Sequence, residues 1–276
     1  MRKFEIILVA AGAIGQRRAV LVGMVDWSAA LRTIYKKTFY RVFAAGYGAK
    51  ALFQARRHGS GGKRFERMVR LRVRIRFCKQ DELRLIGHRD LMRCFERLFR
   101  RSGLPLGMSE GFHPKPRMTF PLPLALGIEG AKEVMEVELT ELLDAEDILT
   151  RLKAQAPAGL IPLAVEILPA DAKKAQARSA SYQVPIPPAL ESGLQARIGD
   201  LLNQASCMIT RAQGRAAVDL RARLEELTLC QGLLGMRLRI EREGGVGPRD
   251  VLKVLGLEEL ESRGAHLTRT AVELRR

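Results

Sequence analysis

The sequence predicts an α+β fold, and three observations carry that prediction. A strict period of two opens at Leu71, where Leu71, Val73, Ile75 and Phe77 alternate with Arg72, Arg74 and Arg76. That is the pattern of a half-buried strand with a basic outer row. A helical period follows in "DLMRCFERLFRRSG", which places Leu91, Cys94, Phe95, Leu98 and Phe99 on one face. Strand-like and helix-like segments then keep alternating to the C-terminus, first with strong periodicity and later with weaker periodicity.

Taken in order, the strand at Leu71 leads into the helix. Asp90 lies near the helix's positive end, Arg100 and Arg101 lie in its last turn, and Gly103 follows as a stop. A short strand over Leu104–Met108 enters a Gly/Pro-rich loop, and an extended stretch follows at Met118–Phe120. "EVMEVELTE" alternates again as a strand. Asp144 caps a helix running to about Ala154, marked by Ile148, Leu149 and Leu152 and stopped by Pro157 and Gly159. "LIPLAVEIL" completes a β-α-β-β-α-β set.

After a polar linker at Asp171–Ser179 the same order recurs. "SYQVPIP" reads as a strand and Ala189–Asn203 as a helix. "AAVDLRARLEELTL" and "LLGMRLRIE" read as strands paired across "CQG". "GPRDVLKVLGL" is a short helix with Pro248 in its first turn, and "HLTRTAVEL" is the closing strand. The expectation is a pair of tandem ferredoxin-like halves, residues 69–170 and 180–276, behind a basic N-terminal extension, residues 1–67.

The 276 residues carry a net charge of +17, unevenly spread. Residues 1–68 hold 14 Lys/Arg against 3 Asp/Glu, so most of the excess lies in the first quarter. Those residues end in "ARRHGSGGKRFER", a linker-like run, and the regular pattern begins abruptly after Met68. Two readings follow: a basic, weakly folded extension, or a chain translated from Met68. The apolar run "IILVAAGAIG" is broken at Gln16-Arg17-Arg18 and falls short of the roughly 20 residues a bilayer span requires. A cytoplasmic protein without a membrane partner is expected.

Several chemistries lack their sequence signatures. The chain has no G-x-x-x-x-G-K-[ST] phosphate loop, no G-x-G-x-x-G and no H-E-x-x-H. Cys78, Cys94, Cys207 and Cys230 form no C-x-x-C pair and no zinc spacing, so reduced thiols and no metal site are expected. The basic balance favours a polyanion such as RNA.

Two patches stand out. "GHRD" precedes the first helix, where His88 is a base or ligand oriented by Asp90, or else a packing residue beside a helix-capping aspartate. "MSEGFHPKPRMTF" is stiffened by Pro114 and Pro116. It gathers Ser109, Glu110, His113, Lys115 and Arg117 on one short segment suited to a phosphate, a carboxylate or an RNA backbone. Arg72, Arg74 and Arg76 on the strand, with Arg93 and Arg97 on the helix, are the candidate nucleic-acid contacts. Convergence of His88, Asp90, Glu110 and His113 would instead make a hydrolase or transferase site. A protein–protein adaptor is the third reading.

The stretch "RIRFCKQDELRLIGHRDLMRCFERLFRRSGLPLGMSEGFHPKPRMTFPLPLALGIEG" resembles the radical SAM-linked protein family. These are domains of unknown function encoded beside, or fused to, radical S-adenosylmethionine proteins. The likeness spans roughly residues 69–274 and returns in "VDLRARLEELTL" and "MRLRIE". The family's Ser-His-Leu-Asp stands here as Gly87-His88-Arg89-Asp90, and its Ser-Glu-Gly-Phe as Ser109-Glu110-Gly111-Phe112. An Asn often follows there, where this chain has His113. The resemblance implies a radical SAM protein as partner. It also implies that S-adenosylmethionine and the iron–sulfur cluster sit on that partner, and that this chain binds no cofactor.

Overall fold

The computed structural model describes residues 5–8, 21–24, 70–210, 217–241 and 245–275. The chain divides into two units, residues 1–64 and 65–276. In the first, β1 (Glu5–Leu8) and β2 (Leu21–Met24) pair antiparallel, Glu5 opposite Met24 and Leu8 opposite Leu21. The rest of the expected basic extension, and the alternative start at Met68, lie outside the described residues.

The second unit is a mixed α+β structure built on a large, mostly antiparallel sheet. Its first half runs β3 (Leu71–Lys79), α1 (His88–Arg101), β4 (Met118–Thr119), β5 (Glu129–Leu139), α2 (Ala145–Gln155) and β6 (Leu160–Leu168). Its second half runs β7 (Ala177–Pro185), α3 (Pro188–Glu191), α4 (Leu194–Asn203), β8 (Met208–Ile209), β9 (Val218–Asp219), β10 (Leu224–Cys230), β11 (Leu233–Arg239), α5 (Pro248–Val254) and β12 (Thr268–Leu274). The main sheet has the order β10-β11-β7-β12-β5-β3-β6, with β4 pairing on β5. Within each half the pairs are antiparallel. The halves join through one short parallel contact, Thr268 with Glu129 and Arg269 with Gly130.

Alternation along β3 explains the first core. Leu71, Val73, Ile75 and Phe77 are buried, and they pack with Leu91, Phe95, Leu98 and Phe99 of α1 and with Ile148 and Leu152 of α2. Phe77 and Phe95 meet edge to face with ring centroids 4.9 Å apart, a favoured aromatic geometry. A second core joins Tyr182 and Val184 of β7, Leu234, Met236 and Leu238 of β11, Leu194 and Ile198 of α4, and Val251 and Leu252 of α5.

Several boundaries differ from the sequence expectation. The helix expected over Ala189–Asn203 breaks into α3 and α4 because Gly193 takes φ 78°, a conformation glycine reaches without Cβ strain. "AAVDLRARLEELTL" is not one strand. Leu220 is fully buried, and a helical turn at Arg221–Arg223 separates β9 from β10. Leu104–Met108 forms only isolated bridges, Leu106 with Leu139 and Met108 with Pro116. The linker ends earlier than expected, since Ala177 and Ser179 already pair with Leu274 and Glu273.

Candidate functional site

Gly87, in extended conformation, precedes α1, so His88 opens the helix and Asp90 falls in its first turn. An acidic group there is favoured by the helix dipole. The Asp90 carboxylate accepts from Arg93 Nη1 at 3.2 Å instead of orienting His88. The His88 ring stands edge-on to Phe120, centroids 5.2 Å apart, and its Nδ1 is buried without a hydrogen-bond partner. Burial, and then the nearby Lys79 ammonium, hold His88 below the ordinary imidazole pKa. His88 is therefore a neutral ring packed on an aromatic.

The segment expected to be a stiff loop is a tight hairpin hung on β5. Gly107 N–H donates to Glu138 O at 2.7 Å, and Arg117 N–H to Gly107 O at 2.8 Å. Further out, Ser109 N–H donates to Lys115 O at 2.8 Å, and Lys115 N–H to Ser109 Oγ at 2.9 Å. Arg117 Nε donates to Met108 O at 2.9 Å, and its Nη2 lies 3.5 Å from Glu110 Oε1. The tip, residues 110–114, is exposed throughout, and Gly111 makes the turn at φ 120°. Gly107-Met108-Ser109-Glu110-Gly111 spells the spacing of a nucleophile elbow, G-x-S-x-G. That motif needs a strand-turn-helix setting, whereas Ser109 sits in a hairpin with its oxygen engaged by Lys115 N–H.

The two patches are linked through β4. His88 packs on Phe120, which directly follows β4, and Arg117, which directly precedes it, holds the hairpin through Met108 O. Among the described residues, no hydrogen bond or ion pair joins His88 or Asp90 to Ser109, Glu110 or His113.

The arginines are likewise divided. On β3, Arg72 Nη2 lies 2.8 Å from Glu136 Oε2 and Arg74 Nη2 3.0 Å from Glu136 Oε1. Arg74 also reaches Glu166 at 3.3 Å. The chain after β6 lies against this cluster, with Ala172 O accepting from Arg72 and Ala175 N–H donating to Glu136 at 3.3 Å. Arg76 is half-buried, between Val134 and Ala164 in the strand register. On α1 the situation is reversed: Arg89, Arg93, Arg97, Arg100 and Arg101 are all exposed. Arg89, Arg93, Arg97 and Arg101 recur every four residues and so line one face.

One buried constellation escaped the sequence. Arg269 of β12 forks onto Glu133 of β5, Nε to Oε1 at 2.8 Å and Nη2 to Oε2. Its remaining donors reach Leu122 O at 2.9 Å and Pro123 O at 3.2 Å. Lys79 is buried nearby, its ammonium on Arg84 O and Ile86 O, and desolvation lowers its pKa. The only hint was an arginine and a glutamate at strand positions where apolar residues belong. With its donors satisfied, this cluster holds the two halves together and offers no open valence for chemistry.

Among the described residues, no group of three His, Cys, Asp or Glu side chains is placed to hold a metal ion. The four cysteines are free; Cys94 is buried and Cys230 exposed. No helix among the described residues is long and apolar enough to cross a membrane. A family model described as "Uncharacterized protein conserved in bacteria (DUF2344)" matches residues 72–253. No curated protein matches the chain. Among solved structures, similarity is found to an unknown protein from Galdieria sulphuraria. It is 12% identical over 75% of this chain and 100% of that one, with a TM-score of 0.21.

Proposed function

The chain belongs to this uncharacterized bacterial family, and from that premise we propose that it is an accessory protein that binds RNA or a similar anionic ligand for a radical SAM enzyme. The observation that carries the binding part is the row of exposed arginines on α1. Arg93 has an acidic partner in Asp90, but that pair is open to water, with side chains 69% and 59% exposed, and such pairs are weak enough for a phosphate to displace. Row spacing along a helix suits a polyanion that lies along it, and binding of that kind releases counterions.

The radical SAM partner follows from the sequence resemblance, and on this reading S-adenosylmethionine and the cluster belong to that partner. We further read the two halves as tandem ferredoxin-like repeats. In support, the strand orders β6-β3-β5-β4 and β12-β7-β11-β10 both run fourth, first, third, second when only the main-sheet strands of each half are counted, β8 and β9 forming a separate pair. A stand-alone hydrolase draws less support, because Asp90 and Glu110 each face an arginine while His88 packs on Phe120.

The test is fluorescence anisotropy of a labelled single-stranded RNA across a salt series. Affinity should fall steeply with salt, and Arg93→Ala or Arg97→Ala should each weaken binding and reduce the slope of log affinity against log salt by about 1. Binding that ignores both salt and these substitutions would reject the reading. For the partner, anaerobic purification of the tagged chain from its own host should bring down an iron–sulfur protein. Repeated purification without one counts against that half of the proposal.

A further inference from the structure

Phe112, at the tip of the hairpin, has a relative exposure of 101%. Among the described residues no other phenylalanine or tyrosine is exposed: Phe77, Phe95, Phe99 and Tyr182 are buried, and Phe120 is half-buried. A lone exposed apolar residue is ordinary, but this one stands on a stiff and cationic mount. Backbone and side-chain hydrogen bonds tie Ser109 to Lys115, Arg117 ties Met108, and Pro114 and Pro116 restrict the returning strand. The tip's single acid, Glu110, faces Arg117, which leaves His113 and Lys115 exposed beside Phe112. Met108, 43% exposed, adds apolar surface at the base of the tip.

We infer that the hairpin tip is a stacking platform for one unpaired base of single-stranded RNA. Phe112 takes the base face, while Lys115 and His113 meet the flanking phosphates. The inference deepens the RNA-binding reading and rests on it. Charge complementarity selects the occupant. The tip is cationic, and the short segment 102–106 joins it to α1, whose last turn carries the exposed Arg100 and Arg101. A strand tracking the helix arginines therefore runs toward the hairpin. An aromatic ring accepts any base, because every base has a π-face. A preformed hairpin also holds that ring with little entropy left to lose on binding.

The experiment compares the full chain with its Phe112→Ala and Phe112→Trp variants, using a labelled single-stranded oligouridylate and an RNA duplex of the same length. Phe112→Ala should bind the single strand roughly 5- to 100-fold more weakly, with an unchanged salt slope and unchanged affinity for the duplex. Phe112→Trp should restore single-strand binding, whereas Lys115→Ala should lower the slope by about 1. Equal single-strand affinity for Phe112→Ala, or an equal loss on the duplex, overturns the stacking role alone. Wild-type protein with no salt-dependent RNA binding overturns the RNA reading and this inference with it. Because Phe112 contributes nothing to either core, loss of folding does not confound the alanine variant.

Discussion

Arg269 and Glu133 lie 136 residues apart in sequence and form a forked ion pair whose side chains are only 1% and 4% exposed. The pair bridges β12 and β5, the strands through which the two halves of the sheet meet. Breaking a buried pair on one side leaves the other charge desolvated and unpaired, at a cost of about 3–5 kcal/mol. Arg269→Met should therefore lower unfolding free energy by that order in urea titrations. Adding Glu133→Leu to it should recover much of the loss, because an apolar pair of similar volume has no charge to strand.

Gly130 is a second handle on the same pair. An added Cβ there would overlap Glu133 Cγ and come 2.7 Å from its Oε1. Gly130→Ala should displace Glu133 from Arg269 and cost about 1–3 kcal/mol, in the range of overpacking. The two sites should couple. In a double-mutant cycle with Arg269→Met, the alanine should cost far less once the arginine is gone, and additive losses would show that Gly130 acts through something else.

Much of this fold was legible in the sequence, because burial imposes its period directly. β3 alternates as its apolar residues require, and α1 buries the five residues on the face that spacing picks out, Leu91, Cys94, Phe95, Leu98 and Phe99. What the period could not convey was partnership across long loops. Arg72 and Arg74 look like a free basic row until Glu136, more than 60 residues on, is placed beside them. Glu133 and Arg269 look like charges misplaced on strands until β12 docks on β5 and pairs them. Glycine and proline marked the turn at Phe112 but not its hairpin pairing, which depends on Glu138 receiving Gly107.

His88 makes stability depend on pH in one window. Its folded pKa lies below its unfolded value, first through burial and second through Lys79. Between the folded pKa and the unfolded value of about 6.5, only the unfolded chain binds the proton, so stability falls as pH is lowered through that window. Below the folded pKa both states are protonated and the contribution levels off. Thermal midpoints measured downward from pH 7.5 should decline for the wild type and decline less for His88→Phe. Identical slopes would show that other groups set the acid limb.

Thiol reactivity should follow the folded arrangement. Burial raises the Cys94 pKa despite Arg97 and Arg101, and burial followed by Glu129 raises that of Cys78. Cys230 is exposed. With iodoacetamide near pH 8, Cys230 should be alkylated well before Cys94 and Cys78, since the thiolate is the reacting form. Peptide mass mapping over time checks the order, and early labelling of Cys94 would mean that α1 opens readily.

Glu136 separates the two arginine populations. Arg72, Arg74 and the Ala175 N–H all converge on this one carboxylate. Glu136→Gln should cost about 1–3 kcal/mol, because charged hydrogen bonds are lost and two half-buried guanidinium groups are left without their counter-charge. Arg74→Ala should weaken folding by breaking the same cluster. It should leave RNA affinity near that of the wild type, because a guanidinium already held by Glu136 and Glu166 releases no counterion on binding RNA. Arg97→Ala should do the reverse, weakening RNA binding with stability unchanged to within about 0.5 kcal/mol. If Arg74→Ala and Arg97→Ala weaken RNA binding equally while both remain folded, the anionic ligand lies across the sheet face rather than along α1.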